Sequence, residues 1–128
     1  MSLRDEILKA ESENPKAPVP FVVPDWQLTV HIKPWTAAER IGWEESCVDG
    51  KSPEVRQANC AKAIIAALVD EEGKPAFTAA DQQFVESLTS RTLFALFGKV
   101  SDVNKLSVAD ADSLKKNSDA APADSPTS

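Results

Sequence analysis

Cysteine and histidine are scarce in this sequence of 128 residues, which limits the chemistry that it can support. The cysteines are Cys47 and Cys60, and the one histidine is His31. Two cysteines allow at most one disulfide, and they form no ligand motif with His31, so neither a metal centre nor a histidine-activated nucleophile is predicted. Both cysteines lie beside apolar residues in predicted helices, where we expect buried, reduced thiols.

Glycine is equally sparse, and the four glycines are isolated from one another, so there is no glycine-rich loop to cradle a phosphate. Paired carboxylates occur at Glu44-Glu45 and at Glu71-Glu72. Adjacent residues on a helix point in different directions, and the second pair lies in a charged turn, so we interpret both pairs as solvated surface. No catalytic residues and no cofactor are predicted, and we expect a protein that is not an enzyme.

Positive charge and long apolar runs are also in short supply. Lys and Arg number 14 against 20 Asp and Glu, a formal charge of −6, which argues against a nucleic-acid binder because phosphate contacts need clustered cations. The longest apolar stretch, residues 63–69, is far shorter than the ~20 residues that span a bilayer. Residues 1–13 are too charged for a signal peptide. We therefore expect no membrane contact and a cytoplasmic location.

A β-hairpin is predicted over residues 19–33, after a charged entry segment at residues 1–18 with a short helix near its start. Apolar and polar residues alternate from Trp26 to Ile32, which places the apolar ones on one face of a strand and Trp26 in the core. The partner strand contains Phe21-Val22-Val23, and the turn contains Pro24-Asp25.

Helical periodicity begins after the hairpin. Thr36 and Glu39 fit a capping box, and Ser52-Pro53 is typical of another helix start. The predicted helices cover residues 37–47, 53–69, 79–89, 90–104 and 108–116. Residues 117–128 lack bulky apolar side chains and are predicted to be disordered. The expected fold is α+β and predominantly α, with the hairpin packed on four to five helices in a single globular domain at residues 19–116.

Aromatic side chains are the candidates for binding a partner. Trp35 and Trp43 flank the start of the first helix after the hairpin, and either they seal the hairpin against the helices or one of them anchors a partner, since tryptophan is enriched in binding hot spots. Phe94 and Phe97 lie in the most aromatic helix, and their spacing also suits a core. We therefore name Trp35, Trp43, Phe94 and Phe97 as candidate partner-binding residues.

Seven short segments follow one another in a recognisable order. They are Val23–Trp26, Leu28–Ile32, Thr36–Arg40, Val48–Lys51, Leu68–Thr78, Leu106–Ser107 and Leu114–Asn117. In this order and spacing the chain resembles the small tail assembly chaperones of long-tailed bacteriophages and prophages, which often show a VPEWG hairpin, an LTGxERD helix start and an LVDEDGKPLF turn. Gln27 stands where this family often has glycine, and Trp35 where it usually has leucine.

The resemblance implies an escort for another protein. Such a chaperone would bind the tape measure protein and keep it soluble and ready for assembly during tail tube polymerisation, in the cytoplasm of the bacterial host. It would be absent from the mature virion. The tail tube protein is a second candidate partner, and self-association is compatible with coating a long client. The alternatives are a minor structural component of the tail or head-tail connector, and a small enzyme or regulator unrelated to phage.

Overall fold

A computed structural model describes residues 2–13 and 16–106 of the chain. The predicted helix at residues 108–116 and the predicted disordered tail lie outside the described residues. In chain order, the elements are α1 (Leu3–Glu13), β1 (Val19–Val23), β2 (Leu28–Ile32), α2 (Ala37–Ser46), α3 (Pro53–Ala67), β3 (Leu68–Val69), a 3₁₀ turn (Ala79–Asp81), α4 (Gln82–Glu86) and α5 (Ser90–Asn104). The fold is α+β and predominantly α, as predicted.

The hairpin prediction is confirmed, because β1 and β2 pair antiparallel with Val23 opposite Leu28. The amides of Trp26 and Gln27 both donate to the Val23 carbonyl, at 3.2 and 2.8 Å, and these bonds close the turn. The strand begins only at Leu28, so Trp26 lies in the turn and is exposed. Its predicted place in the core is wrong, because the tight turn interrupts the alternation that the sequence suggests.

Gln27 occupies left-handed backbone, with φ at 51°. A side chain costs about 1–2 kcal/mol in this region, whereas glycine adopts it freely. Since glycine also loses more freedom on folding, we expect Gln27→Gly to raise the free energy of unfolding by about 0.5–1 kcal/mol in urea unfolding. Gln27→Ala keeps the strain and serves as the control. An equal gain from alanine would show that the backbone is not the cause.

A third strand was not predicted. The helix expected at residues 53–69 ends at Ala67, and Leu68 and Val69 form β3, which pairs antiparallel with the end of β2. The amide of Lys33 donates to the Ala67 carbonyl at 2.8 Å, and the amide of Ala76 donates to the Leu68 carbonyl at 3.0 Å. The first bond comes from a distant part of the chain and the second from the turn that follows β3, and together they override the local helical pattern of an apolar run.

The single helix predicted at residues 79–89 is in fact a 3₁₀ turn followed by the short α4. The hydroxyl of Ser87 donates to the Phe84 carbonyl at 2.6 Å, and its amide bonds to carbonyls of the same turn. The Thr89 hydroxyl then accepts from the amide of Thr92 and begins α5. Ser87 thus ends α4 three residues before the predicted end of this helix, and Thr89 caps α5 at its predicted start.

The core lies where α3 packs against α4 and α5, and the sheet packs against α5. Its largest fully buried side chains are Val23, Ile32, Ile64, Leu68, Val85, Leu96 and Val100. The Asp25 carboxylate in the hairpin turn accepts from Arg91 Nε at 2.9 Å and from Thr92 Oγ1 at 3.2 Å. These bonds fix the hairpin to the first turn of α5.

Candidate functional site

The segment that leads into α2 positions the first of the predicted binding residues, Trp35. Thr36 Oγ1 accepts from the Glu39 amide at 3.2 Å, and the Glu39 carboxylate accepts from the Thr36 amide at 2.9 Å, so the predicted capping box is confirmed. The hydrogen bond from Lys33, together with the Thr36 amide, lowers the pKa of Glu39. The helix start is therefore held firmly just after Trp35.

Asn104 holds the same segment from the other side. Its Oδ1 accepts from the Trp35 amide at 2.7 Å, and its Nδ2 donates to the Lys33 carbonyl at 3.2 Å. Asn104 is the last residue of α5, so one amide side chain joins the end of that helix to the chain between β2 and α2. Trp35 is thereby placed by contacts across almost seventy residues of sequence.

Trp35 and Trp43 come together in the structure, although the sequence did not require them to share a face. Their ring centroids lie 5.7 Å apart with planes tilted by 38°. The indole of Trp35 donates to the Ala66 carbonyl at 3.3 Å, and that of Trp43 donates to the Asn59 carbonyl at 3.1 Å. The pair thus joins α2 to α3. Trp43 is buried, whereas Trp35 keeps part of its ring at the surface.

Asn59 is a buried polar residue that sequence reasoning passed over, within the apolar stripe of α3. Its Oδ1 accepts from the Val48 amide at 2.9 Å, and its Nδ2 donates to the Val48 carbonyl at 3.1 Å. One side chain therefore satisfies both backbone groups of a residue in the loop after α2. An asparagine in an otherwise apolar helical stripe is a signal that could have indicated such a contact.

The two phenylalanines of α5 have opposite environments. Phe97 is 5% exposed and belongs to the core with Leu93, Leu96 and Val100, at the spacing of a buried helical stripe. Phe94 is 53% exposed and lies outside that stripe. Of the four candidate binding residues, Phe94 and part of Trp35 present surface, whereas Trp43 and Phe97 are packed in the interior.

Phe94 lines an open groove of about 380 Å³ between the N-terminal ends of α3 and α5. The lining residues are Pro53, Arg56, Gln57, Leu88, Ser90, Leu93 and Phe94. The Gln57 side chain donates to the Glu86 carbonyl, which ties α3 to the end of α4 beside the groove. The floor is apolar, and Arg56 is the one charged residue of the lining. A groove with an apolar floor suits the apolar face of an amphipathic helix.

The buried thiols provide a test of the core around α3. Cys47 and Cys60 are both buried, as predicted, and burial raises the pKa of Cys60 to about 11 from an ordinary value near 9. The neutral thiol therefore contributes stability that is complete below pH 9 and is lost as the pH rises towards 11. We expect the stability difference between the wild type and Cys60→Ala to shrink by about 2 kcal/mol across that range. A constant difference in urea unfolding would contradict the burial.

One member of the first carboxylate pair forms an ion pair, and the second pair lies in a hydrogen-bonded turn. Arg40 binds Glu44 at 3.0 Å, and Asp70, which precedes Glu71-Glu72, accepts from the amides of Lys74 and Glu72. The hydrogen bond from the Lys74 amide is the largest cause of the lowered pKa of Asp70, and the bond from the Glu72 amide adds to it. Both bonds also stabilise the turn. Within residues 2–13 and 16–106, no three potential metal ligands cluster together.

Comparison with known structures adds one finding. The fold is similar to that of the bacteriophage HK97 tail assembly chaperone. The two structures superimpose with a TM-score of 0.54 at 17% sequence identity, over 80% of this chain and 98% of the HK97 protein. At this identity the likeness to the HK97 tail assembly chaperone shows a shared fold. No family model and no curated protein sequence matches the chain.

None of the helices within residues 2–13 and 16–106 is both long enough and apolar enough to cross a bilayer.

Proposed function

We propose that the protein is a phage tail assembly chaperone that binds the tape measure protein in the groove at Phe94. The observation that carries the proposal is the fold shared with the HK97 tail assembly chaperone over nearly all of that protein's length. The order of the sequence segments supports the same role independently, because a resemblance in sequence pattern and a likeness in backbone use different information.

The groove suggests how such a client would be held. A tape measure protein is expected to be long and helical and to expose apolar faces before the tail tube encloses it. Phe94 and the leucines of the groove floor would cover one such face and remove apolar surface from water, which stabilises by roughly 25 cal/mol per Å². The acidic charge of the chain, −6, would keep loaded complexes apart by repulsion. Binding of this kind needs no catalytic group.

The direct test is binding to the product of the long reading frame that follows this gene. We expect that product to be a tape measure protein, and co-expression to raise its soluble fraction and allow co-purification. Failure of the two proteins to bind would contradict the proposal. Presence of the chain in purified particles would instead favour the alternative of a minor structural component of the tail or connector.

Phe94→Gln tests the proposed surface. Aromatic residues that fill a groove commonly act as hot spots worth about 2 kcal/mol, so the variant should bind the client roughly 30-fold more weakly. Phe84→Gln is the matched control, because Phe84 is 56% exposed and lies outside the groove lining. Equal losses of client affinity in the two variants would indicate non-specific binding to exposed aromatic rings rather than binding at the groove.

A further inference from the structure

Helix α5 contains a glycine that the fold itself does not require. Gly98 lies in the interior of the helix and is exposed, and its backbone is ordinary helix, unlike that of Gly50 and Gly73, which have positive φ angles. A methyl group added at Gly98 would meet no atom of the described residues within 4 Å. Glycine in a helix interior lowers stability relative to alanine, because it loses more backbone freedom on folding. Neither backbone geometry nor packing within the described part of the chain explains this glycine.

Gly98 lies beside the exposed ring of Phe94. The two residues are four positions apart, so they are neighbours on one side of α5. Phe94 is 53% exposed and lines the groove, which lies towards the start of the helix, whereas Gly98 lies one turn further on. Because Gly98 has no side chain, the helix backbone is bare next to the ring. This side of α5 therefore presents an apolar ring followed by a hollow.

A ring beside a hollow on a convex helix is suited to a second helix. Small ligands bind in concave pockets, whereas two helices pack side by side at about 8–10 Å between their axes. That distance depends on the side chains at the contact, and glycine permits the closest approach. A partner helix that crosses α5 here can place a large aliphatic side chain against both the bare backbone and the Phe94 ring. Removing that side chain from water stabilises the contact.

We propose that Gly98 determines the specificity of the client site, because Gly98 and Phe94 form a seat for a leucine-sized side chain on a helix of the client. The proposal rests on the function proposed above, and it adds where the client helix crosses α5 and what chemistry it presents. Any side chain at position 98 would fill the seat and hold the two helices apart. Gly98 thus lowers the stability of the free protein and permits close contact with the client.

Gly98→Gln and Gly98→Ala test the seat by two measurements that should move in opposite directions. In urea unfolding, both variants should be more stable, with an unfolding equilibrium constant about two- to fivefold lower in Gly98→Ala. In binding to the product of the long reading frame that follows this gene, Gly98→Gln should lose about tenfold or more in affinity, and Gly98→Ala a smaller factor. A residue that merely supports the fold would not weaken binding when its replacement makes the protein more stable.

Gly42 provides the matched control. It lies in the interior of α2 and is exposed, and a methyl group there would also meet no atom of the described residues within 4 Å. Gly42→Ala and Gly42→Gln should therefore give a similar gain in stability and leave client affinity unchanged. Equal losses of client affinity at both glycines would show a general effect of added side chains and would overturn the seat.

The remaining outcomes separate the seat from the proposed function. Wild-type client affinity in Gly98→Gln would overturn the seat and leave the proposed function standing, whereas a wild type that does not bind this product would overturn both. Lower stability of Gly98→Ala would show that another part of the chain covers Gly98, and it would also overturn the seat.

Alanine substitution of each large aliphatic residue in the client identifies the seated side chain. One of these client variants should bind the wild type and Gly98→Gln almost equally, because the side chain that meets position 98 is then gone. A client series in which every variant still distinguishes the two proteins would overturn the proposed chemistry of the seat.

Discussion

Phe97→Ala is expected to lower the free energy of unfolding by about 3–5 kcal/mol, which is the usual effect of truncating a buried phenylalanine. Phe97 is 5% exposed and packs in the cluster that joins α3 and α5, so its removal takes apolar contacts away and leaves a cavity. A loss of this size is a large fraction of the 5–15 kcal/mol typical of a domain. The measurement is urea unfolding followed by circular dichroism.

Phe94→Ala is the matched control for this prediction. Phe94 belongs to the same helix but is 53% exposed, and we expect its truncation to cost less than about 1 kcal/mol. Its effect should appear in client binding instead. Equal destabilisation by the two substitutions would show that the groove at Phe94 is closed in solution and that the assignment of Phe94 to a surface is wrong.

Asn59→Ala is expected to lower the free energy of unfolding by about 2–4 kcal/mol. The substitution removes both hydrogen bonds between the Asn59 side chain and the Val48 backbone, and each such bond contributes about 1 kcal/mol. The small cavity adds to this loss. The loop after α2 should loosen as well, which faster exchange of the Val48 amide hydrogen would report.

Two comparisons separate the role of Asn59 from a general effect of removing an amide. Gln83 is an exposed residue of α4, and we expect Gln83→Ala to change stability by less than about 0.5 kcal/mol. Asn59→Asp keeps the acceptor for the Val48 amide but loses the donor to its carbonyl and buries a charge, so it should not rescue the alanine variant. Wild-type stability in Asn59→Asp would contradict the two-bond contact.

The environments of the candidate site residues were only partly predictable. The stripe formed by Leu93, Leu96, Phe97 and Val100 has the spacing of a buried helical face, so the sequence already contained the reason why Phe97 is core. Phe94 lies on another side of α5, outside this stripe. The residue four positions later on that side is Gly98, which is also exposed. The burial of Trp43 and the contact between the two tryptophan rings could not be read in this way, because they depend on how α2 meets α3.

Local signals account for what the sequence determined by itself: the hairpin, the capping box at Thr36, the start of α3 at Ser52 and the predominantly helical composition of the fold. Each depends on backbone groups satisfied within a few residues, so short patterns suffice to predict it. Three features were determined only by tertiary structure. They are the third strand at Leu68–Val69, the two hydrogen bonds between the Asn59 side chain and the Val48 backbone, and the groove at Phe94. These features join segments that are distant in sequence, and their partners are specified only once the helices and the sheet have packed together.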